Sequence, residues 1–293
     1  MNNEVEVMIM IKVGMNLLIW SDDTHYDQHK GLLDFCKDVG FDGVEFNVGV
    51  TNSFDECKKF GDHAKELGLG VTSVAVFNPS VCNPISPDKA LRDAVYPEFK
   101  KYIDLTCALG GTLICGPVHQ ALGYFTNQRP TDWEWKTSIE VMKPCFEYAG
   151  EKGITVAVEP LNRFECYLIN TVDTGIDYVK EIGMDHVGLL VDTMHANIEE
   201  LDIAESFKKA LPYTKHVHIS ENNRGIPGTG HACGKEIFDV YRESDYDGYL
   251  TIEAFNLGAP SFVGALHLWR TFAPSDDELA QQGHDYIRAM LKG

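Results

Sequence analysis

Four residues in the second half of the chain each stand at or near the close of a short apolar run: Glu159 after ITVAV, Asp192 after VGLLV, His218 within KHVHIS and Glu253 within YLTIEAF. Three carboxylates and one imidazole make an oxygen-rich donor set suited to a divalent cation of the manganese, magnesium or cobalt type. No cysteine holds any of these positions, which disfavours a structural zinc. A cation held this way can bind the carbonyl and adjacent hydroxyl oxygens of a hydroxyketone, stabilising the enediolate left when the hydroxyl-bearing carbon loses its proton. Glu159 and Glu253 can then reach the substrate from different sides, one taking a proton and the other returning it to the opposite face.

That chemistry requires the four runs to be strands sharing one end. Within them aliphatics alternate with small or polar groups: Val156 and Val158, Leu189 and Val191, Val217 and Ile219, and Leu250 and Ile252 are set to face helices, leaving the four candidate ligands facing inward. Successive candidates lie about 30 residues apart, the length of one strand, one helix and their loops. The rest of the chain repeats the alternation. Strands are expected at 12–20, 43–48, 71–77, 112–116, 154–159, 187–192, 215–220 and 249–255, with helices at 27–39, 54–67, 87–109, 132–151, 171–182, 199–211, 235–242 and 277–291. Asn52 or Ser53 is the expected cap of the second helix. The count is that of a single-domain (β/α)8 TIM barrel over residues 12–293, preceded by a short arm at 1–11, with chemistry at the C-terminal ends of the strands. The loop at 117–130 is longer than a connection needs, which points to function.

The formal net charge of −19 argues against nucleic acid, whose binding needs a basic footprint. No run reaches the roughly 18 apolar residues of a membrane span. VEVMIMI lacks the basic start and cleavage site of a signal peptide. The eight cysteines form no CxxC pair, so reduced thiols in a cytoplasmic protein are expected. Trp20 is placed to touch substrate, whereas Trp133, Trp135 and Trp269 are expected to pack. His216 is expected as a hydrogen-bonded histidine one inward step below His218, and His119 as a more open one.

EPLNRFECYLINT, VDTMHANIEE, the run through HIS and ENNRGIPGTG, TIEAF and the later LWR together resemble the D-tagatose 3-epimerase and D-psicose (D-allulose) 3-epimerase family of ketose epimerases, within the xylose isomerase-like barrels. The likeness runs from Lys12 onward and is densest over 156–255. It implies that Glu159, Asp192, His218 and Glu253 bind manganese, with cobalt or magnesium as alternatives, and that the two Glu are the acid/base pair at C3 of a free ketose. It also implies that Glu165, His195 and Arg224 grip the O1 to O3 end of the sugar. Asn16 and Leu122 depart from the aromatic residues of many relatives, and GPVHQALG looks closer to the L-ribulose 3-epimerase branch; both bear on the far end of the sugar.

Other enzymes of the barrel class, such as hydroxypyruvate isomerase, inosose dehydratase or an aldose–ketose isomerase, share the metal and paired carboxylates and stay open as alternatives. An endonuclease IV-like phosphodiesterase needs more histidine ligands and a basic face. A non-catalytic sugar-binding barrel does not need the pair Glu159 and Glu253. A homo-oligomer, dimer or tetramer, is expected.

Overall fold

Eight parallel strands close on one another in chain order: β1 (Lys12–Asn16), β2 (Gly43–Asn47), β3 (Gly70–Val74), β4 (Leu113–Gly116), β5 (Thr155–Val158), β6 (Val187–Asp192), β7 (Thr214–Ile219) and β8 (Tyr249–Ile252). β1 pairs with β2 on one side and β8 on the other, which closes the ring. This is the TIM barrel expected from the alternation. A computed structural model describes residues 11–22, 25–49, 53–256, 263–264 and 266–293. Most of the expected arm, residues 1–10, lies outside them, as does Asn52.

The alternation sorts side chains as expected. Val44 and Phe46, Leu189 and Val191, Val217 and Ile219, and Leu250 and Ile252 join the large apolar layer between barrel and helices. Val74, Cys115, Ala157 and Leu190 meet in a smaller cluster inside the barrel. Burying a large aliphatic or aromatic side chain is worth about 1.5–3 kcal/mol, so the outer layer dominates the stability of the scaffold. Gly43 and Gly70 lie against the Tyr249 ring near the N-terminal ends of the strands; a Cβ on Gly43 would come 2.7 Å from that ring.

Several boundaries differ from expectation, each for a local reason. β1 stops at Asn16 because the Asn16 side chain accepts from Leu18 N at 3.0 Å and caps a 3-10 turn, Leu17–Ile19. Trp20 follows that turn and meets the start of the last helix, Asp276–Lys292. Its indole N–H donates to Asp277 at 2.7 Å, and its ring packs edge-on against Phe35, so the expectation that it touches substrate is corrected. The helix expected at 27–39 divides into Tyr26–His29 and Gly31–Val39, and that at 87–109 into Lys89–Asp93 and Val95–Ala108. Phe54–Leu67, Asp132–Glu151 and Lys235–Arg242 form as expected, the first capped by Ser53.

A short helix absent from the sequence reading, Thr193–Glu199, follows β6 directly, and the helix expected to begin at residue 199 is Ile203–Ala210, capped by Asp202. Trp133 and Trp269 are 49% and 74% exposed and so do not pack as expected, whereas Trp135 is partly buried and donates to Glu181. All eight cysteines are unpaired thiols. Among the described residues no helix is long and apolar enough to cross a membrane.

Candidate active site and metal centre

The strand ends deliver the four candidate ligands to one buried spot. Glu159 follows β5, its backbone N–H held by Gly116 O at 3.0 Å. Asp192 closes β6 and caps the helix Thr193–Glu199: Oδ1 accepts from Met194 N and His195 N at 2.6 and 3.2 Å. Oδ2 is thereby turned toward β7, 3.7 Å from His218 Nδ1. Glu253 follows β8 and brings Oε2 to 3.6 Å from the same nitrogen. Ligand atoms of Asp192, His218 and Glu253 lie within 4.8 Å of one another, as do those of Glu159, Asp192 and His195, so Asp192 belongs to both groups. His218 Nδ1 is buried with no hydrogen-bond partner. An orphaned imidazole nitrogen facing two carboxylates, with a third nearby, fits a divalent cation.

Electrostatics separate the carboxylates. Burial drives Glu159 well above the ordinary carboxyl range, aided by Glu253 and Asp192 and only partly opposed by His218 and Arg224. Burial also raises Asp192, to about 6, against the pull of Arg224. For Glu253 burial acts in the same sense, but Arg224 and His218 outweigh it and hold the group ionised, well below its usual range. Burial disfavours charge on His218, yet Glu45 and Glu253 raise it well above an ordinary histidine. A bound cation supplies the positive charge that this proton otherwise provides.

The residues implied as sugar contacts converge on the same place. Arg224 has a φ of 61° in the loop after β7, and its Nη1 contacts Glu253 Oε2 at 2.5 Å, Ser220 Oγ at 2.7 Å and Asp192 Oδ2 at 3.1 Å. His195 Nδ1 accepts from Asn162 N at 3.2 Å, and its Nε2 lies 3.7 Å from Glu159 Oε1. Arg224 Nη2 lies 3.1 Å from that same Nε2. Glu165 Oε1 accepts from Asn162 Nδ2 at 2.8 Å. Glu159, Glu165, His195, Arg224 and Glu253 all line one cleft, whose other walls are largely apolar and include Leu122 and Phe255.

Three further sequence readings meet their outcome here. His216 is fully buried two residues before His218 on β7, but it is not hydrogen-bonded as expected: neither ring nitrogen has an aligned partner, although Nε2 lies 2.9 Å from Glu45 Oε2. His119 is not open: it is fully buried, with Nε2 3.2 Å from Glu159 O. Asn16 does not line the cleft wall but lies beneath it, donating to Glu45 at 3.0 Å and reaching Glu253 at 3.5 Å.

Sequence reasoning missed Glu45, Asn162 and Glu221. Glu45 sits at the inward position of GVEFN, between Val44 and Phe46, so alternation alone marks it. Burial opposes its ionisation, but His218 and His216 prevail and hold it well below the usual range. Glu221 accepts from the backbone N–H groups of Asn222, Gly228, His231 and Ala232, at 2.7–3.0 Å, and so shapes the loop that carries Arg224. No spacing rule announces Asn162 or Glu221.

A family model described as xylose isomerase-like TIM barrel matches residues 33–290. A probable ketose 3-epimerase of Synechocystis sp. is 29% identical over 280 residues, covering 95% of this chain and 96% of that protein. An L-ribulose 3-epimerase of Mesorhizobium japonicum is 29% identical over 283 residues, covering 95% and 93%. The crystal structure of a D-allulose 3-epimerase from Methylomonas sp. in complex with D-allulose superposes with a TM-score of 0.88 at 27% identity, covering 96% of this chain and 97% of that one. With its closed barrel, its strand-end carboxylates and a family match over most of its length, this chain belongs to the xylose isomerase-like TIM barrel family.

Proposed function

We propose that this protein is a metal-dependent isomerase that epimerises free ketoses at C3, interconverting pairs such as D-tagatose and D-sorbose, D-fructose and D-psicose, or L-ribulose and L-xylulose. The observation that carries the reading is the pair Glu159 and Glu253, which come from the ends of β5 and β8 to line one cleft and lie beside Asp192. The named activities of the relatives support the same class. In this reading Glu159, Asp192, His218 and Glu253 hold the cation, manganese first and cobalt or magnesium next. When bound, the cation polarises the ketose carbonyl and the neighbouring hydroxyl. One Glu takes the C3 proton, leaving its electron pair in a cis-enediolate, and the other delivers a proton to the opposite face.

Glu165, His195 and Arg224 bind the O1 to O3 end: Arg224 presents N–H groups, His195 its imidazole beside Arg224, and Glu165 a carboxylate already steadied by Asn162. Arg224 is the only Lys or Arg among the described residues lining the cleft, and it faces Asp192 and Glu253, which favours an unphosphorylated sugar. Leu122, from the loop at 117–130, meets the far part of the sugar. The proposal extends to a homo-oligomer in the cytoplasm, where free thiols persist.

Turnover of a ketose in heavy water is the deciding experiment. The expected result is deuterium at C3 of the epimer and none at C1, with epimerisation lost on Glu159→Gln or Glu253→Gln. Aldose product labelled at C1 defeats the epimerase reading in favour of an isomerase. Product that retains its original C3 hydrogen defeats the two-base scheme.

A further inference from the structure

Beneath the cleft the barrel interior holds a second polar layer to which the proposed chemistry gives no part. Its centre is Glu45, fully buried on β2. A carboxylate has about four lone-pair directions, and four donors fill them here. Oε1 receives Asn16 Nδ2 at 3.0 Å and faces His218 Nε2 at 2.8 Å; Oε2 receives Thr72 Oγ1 at 2.9 Å and Cys115 Sγ at 3.4 Å. His216 Nε2 lies 2.9 Å from Oε2 without hydrogen-bond alignment. Glu45, Cys115, His216 and His218 are also spaced closely enough to hold an ion themselves. The amide and hydroxyl donors argue otherwise, because Asn16 and Thr72 already use lone pairs that a cation in this lower layer would need.

The ring of His218 therefore bridges two layers. Glu45 already accepts from Asn16, Thr72 and Cys115, so it meets Nε2 at 2.8 Å as an acceptor; the proton then lies on Nε2 and leaves Nδ1 as the lone-pair donor, 3.6 Å from Glu253 and 3.7 Å from Asp192. We infer that Glu45 is a positioning residue for the metal centre: it fixes the ring orientation and tautomer of His218, so that Nδ1 and not Nε2 serves the cation. The inference rests on the proposal that His218 is a metal ligand. A carboxylate behind a ligating histidine orients the ring and strengthens it as a donor, and losing such a partner costs about 10- to 100-fold in metal affinity. Thr72 and Asn16 are the residues that keep Glu45 itself in place.

The test reads manganese affinity, not turnover. Calorimetric titration of the metal-free protein with Mn2+ should show Glu45→Gln weakened about 10- to 100-fold relative to the wild type. The same substitution in a His218→Ala background should have little further effect, because the route through which Glu45 acts is gone. Equal losses in both backgrounds, or wild-type affinity in Glu45→Gln, overturn the inference. A wild-type chain that binds no divalent cation overturns the metal reading itself, which is a separate result. Should the variants not fold, nitrogen NMR of the histidine-labelled wild-type protein decides: His218 should carry its proton on Nε2 and show a metal-induced shift at Nδ1 on Mg2+ loading, and a proton-free Nε2 overturns the assignment.

Discussion

Arg224 reaches Glu253 and Asp192 with one guanidinium nitrogen and lies against His195 with another, so a single side chain sets charge on two candidate ligands while facing the cleft. Its φ of 61° lies in a region that non-glycine residues seldom adopt, so the loop must impose the conformation rather than the residue choosing it. If Arg224 grips the reacting end of the sugar, Arg224→Ala should lower kcat/KM by roughly 10- to 1000-fold, about 1.4 kcal/mol for each tenfold step. The geometry adds a second consequence. With the guanidinium gone, Glu253 loses the strongest influence holding it ionised, so its titration should move to higher pH. Steady-state kinetics across pH on Arg224→Ala and Arg224→Lys measure both effects, and unchanged kinetics in the alanine variant would return Arg224 to a purely structural role.

Among the elements, the loop between β7 and the helix Lys235–Arg242 shows how function is held by backbone. It has no strand or helix of its own, and the buried Glu221 carboxylate gathers its N–H groups while Glu221 O accepts from Arg224 N at 2.8 Å. Burial opposes ionisation of Glu221, but those backbone donors win and keep it below the usual range. Replacing it with alanine leaves the buried Ala232 N–H without its acceptor, at about 1–3 kcal/mol, and releases the more exposed N–H groups of Asn222, Gly228 and His231 to water. Glu221→Ala should therefore lower thermal stability, speed amide exchange across residues 222–232 and raise KM through misplaced Arg224. Exchange rates indistinguishable from wild type would show that the loop is held by other means. The short helix Thr193–Glu199 works similarly: by capping it, Asp192 commits one carboxylate oxygen to the helix N-terminus and leaves the other for the site.

At the scale of the whole molecule, the site couples stability to pH and metal. Asp192 has a folded-state pKa of about 6, above the roughly 3.9 of an unfolded chain, because burial penalises its charge. The folded state thus binds the proton more tightly. This contribution to stability is fully present below the unfolded value and is lost as pH rises through about 6. A divalent cation takes the ionised form, so its affinity should rise with pH over the same window as protons are released. Calorimetry should show manganese binding weaker at pH 5.5 than at pH 7.5, and scanning calorimetry a larger metal-induced rise in Tm at the higher pH. Stripping the metal should lower Tm and abolish turnover, with manganese or cobalt restoring both. Equal affinity at the two pH values would place the cation away from Asp192.

The alternation of aliphatic with small or polar residues was enough to read eight strands, their inward faces and four candidate ligands at one end, because period two and closed-barrel geometry leave one place where strand-end carboxylates can meet. Phe54–Leu67, Asp132–Glu151, β6 and Lys235–Arg242 match the expected spans, the first two where apolar periodicity meets a side-chain cap at Ser53 and Thr131. What the apolar pattern could not carry was set by side-chain caps and by contacts between residues distant in sequence. Asn16 ended β1 early by capping its own turn and sent Trp20 to Asp277; Asp192 started an unread helix; His119 was folded inward beneath Glu159. Glu45 was visible as an inward strand residue, yet only the packed barrel brings it within 2.8 Å of His218, 173 positions along the chain. Local pattern therefore determined which residues point inward. The tertiary structure alone decided which of them touch, and with that the charge on each carboxylate, since burial and neighbouring charge act through space.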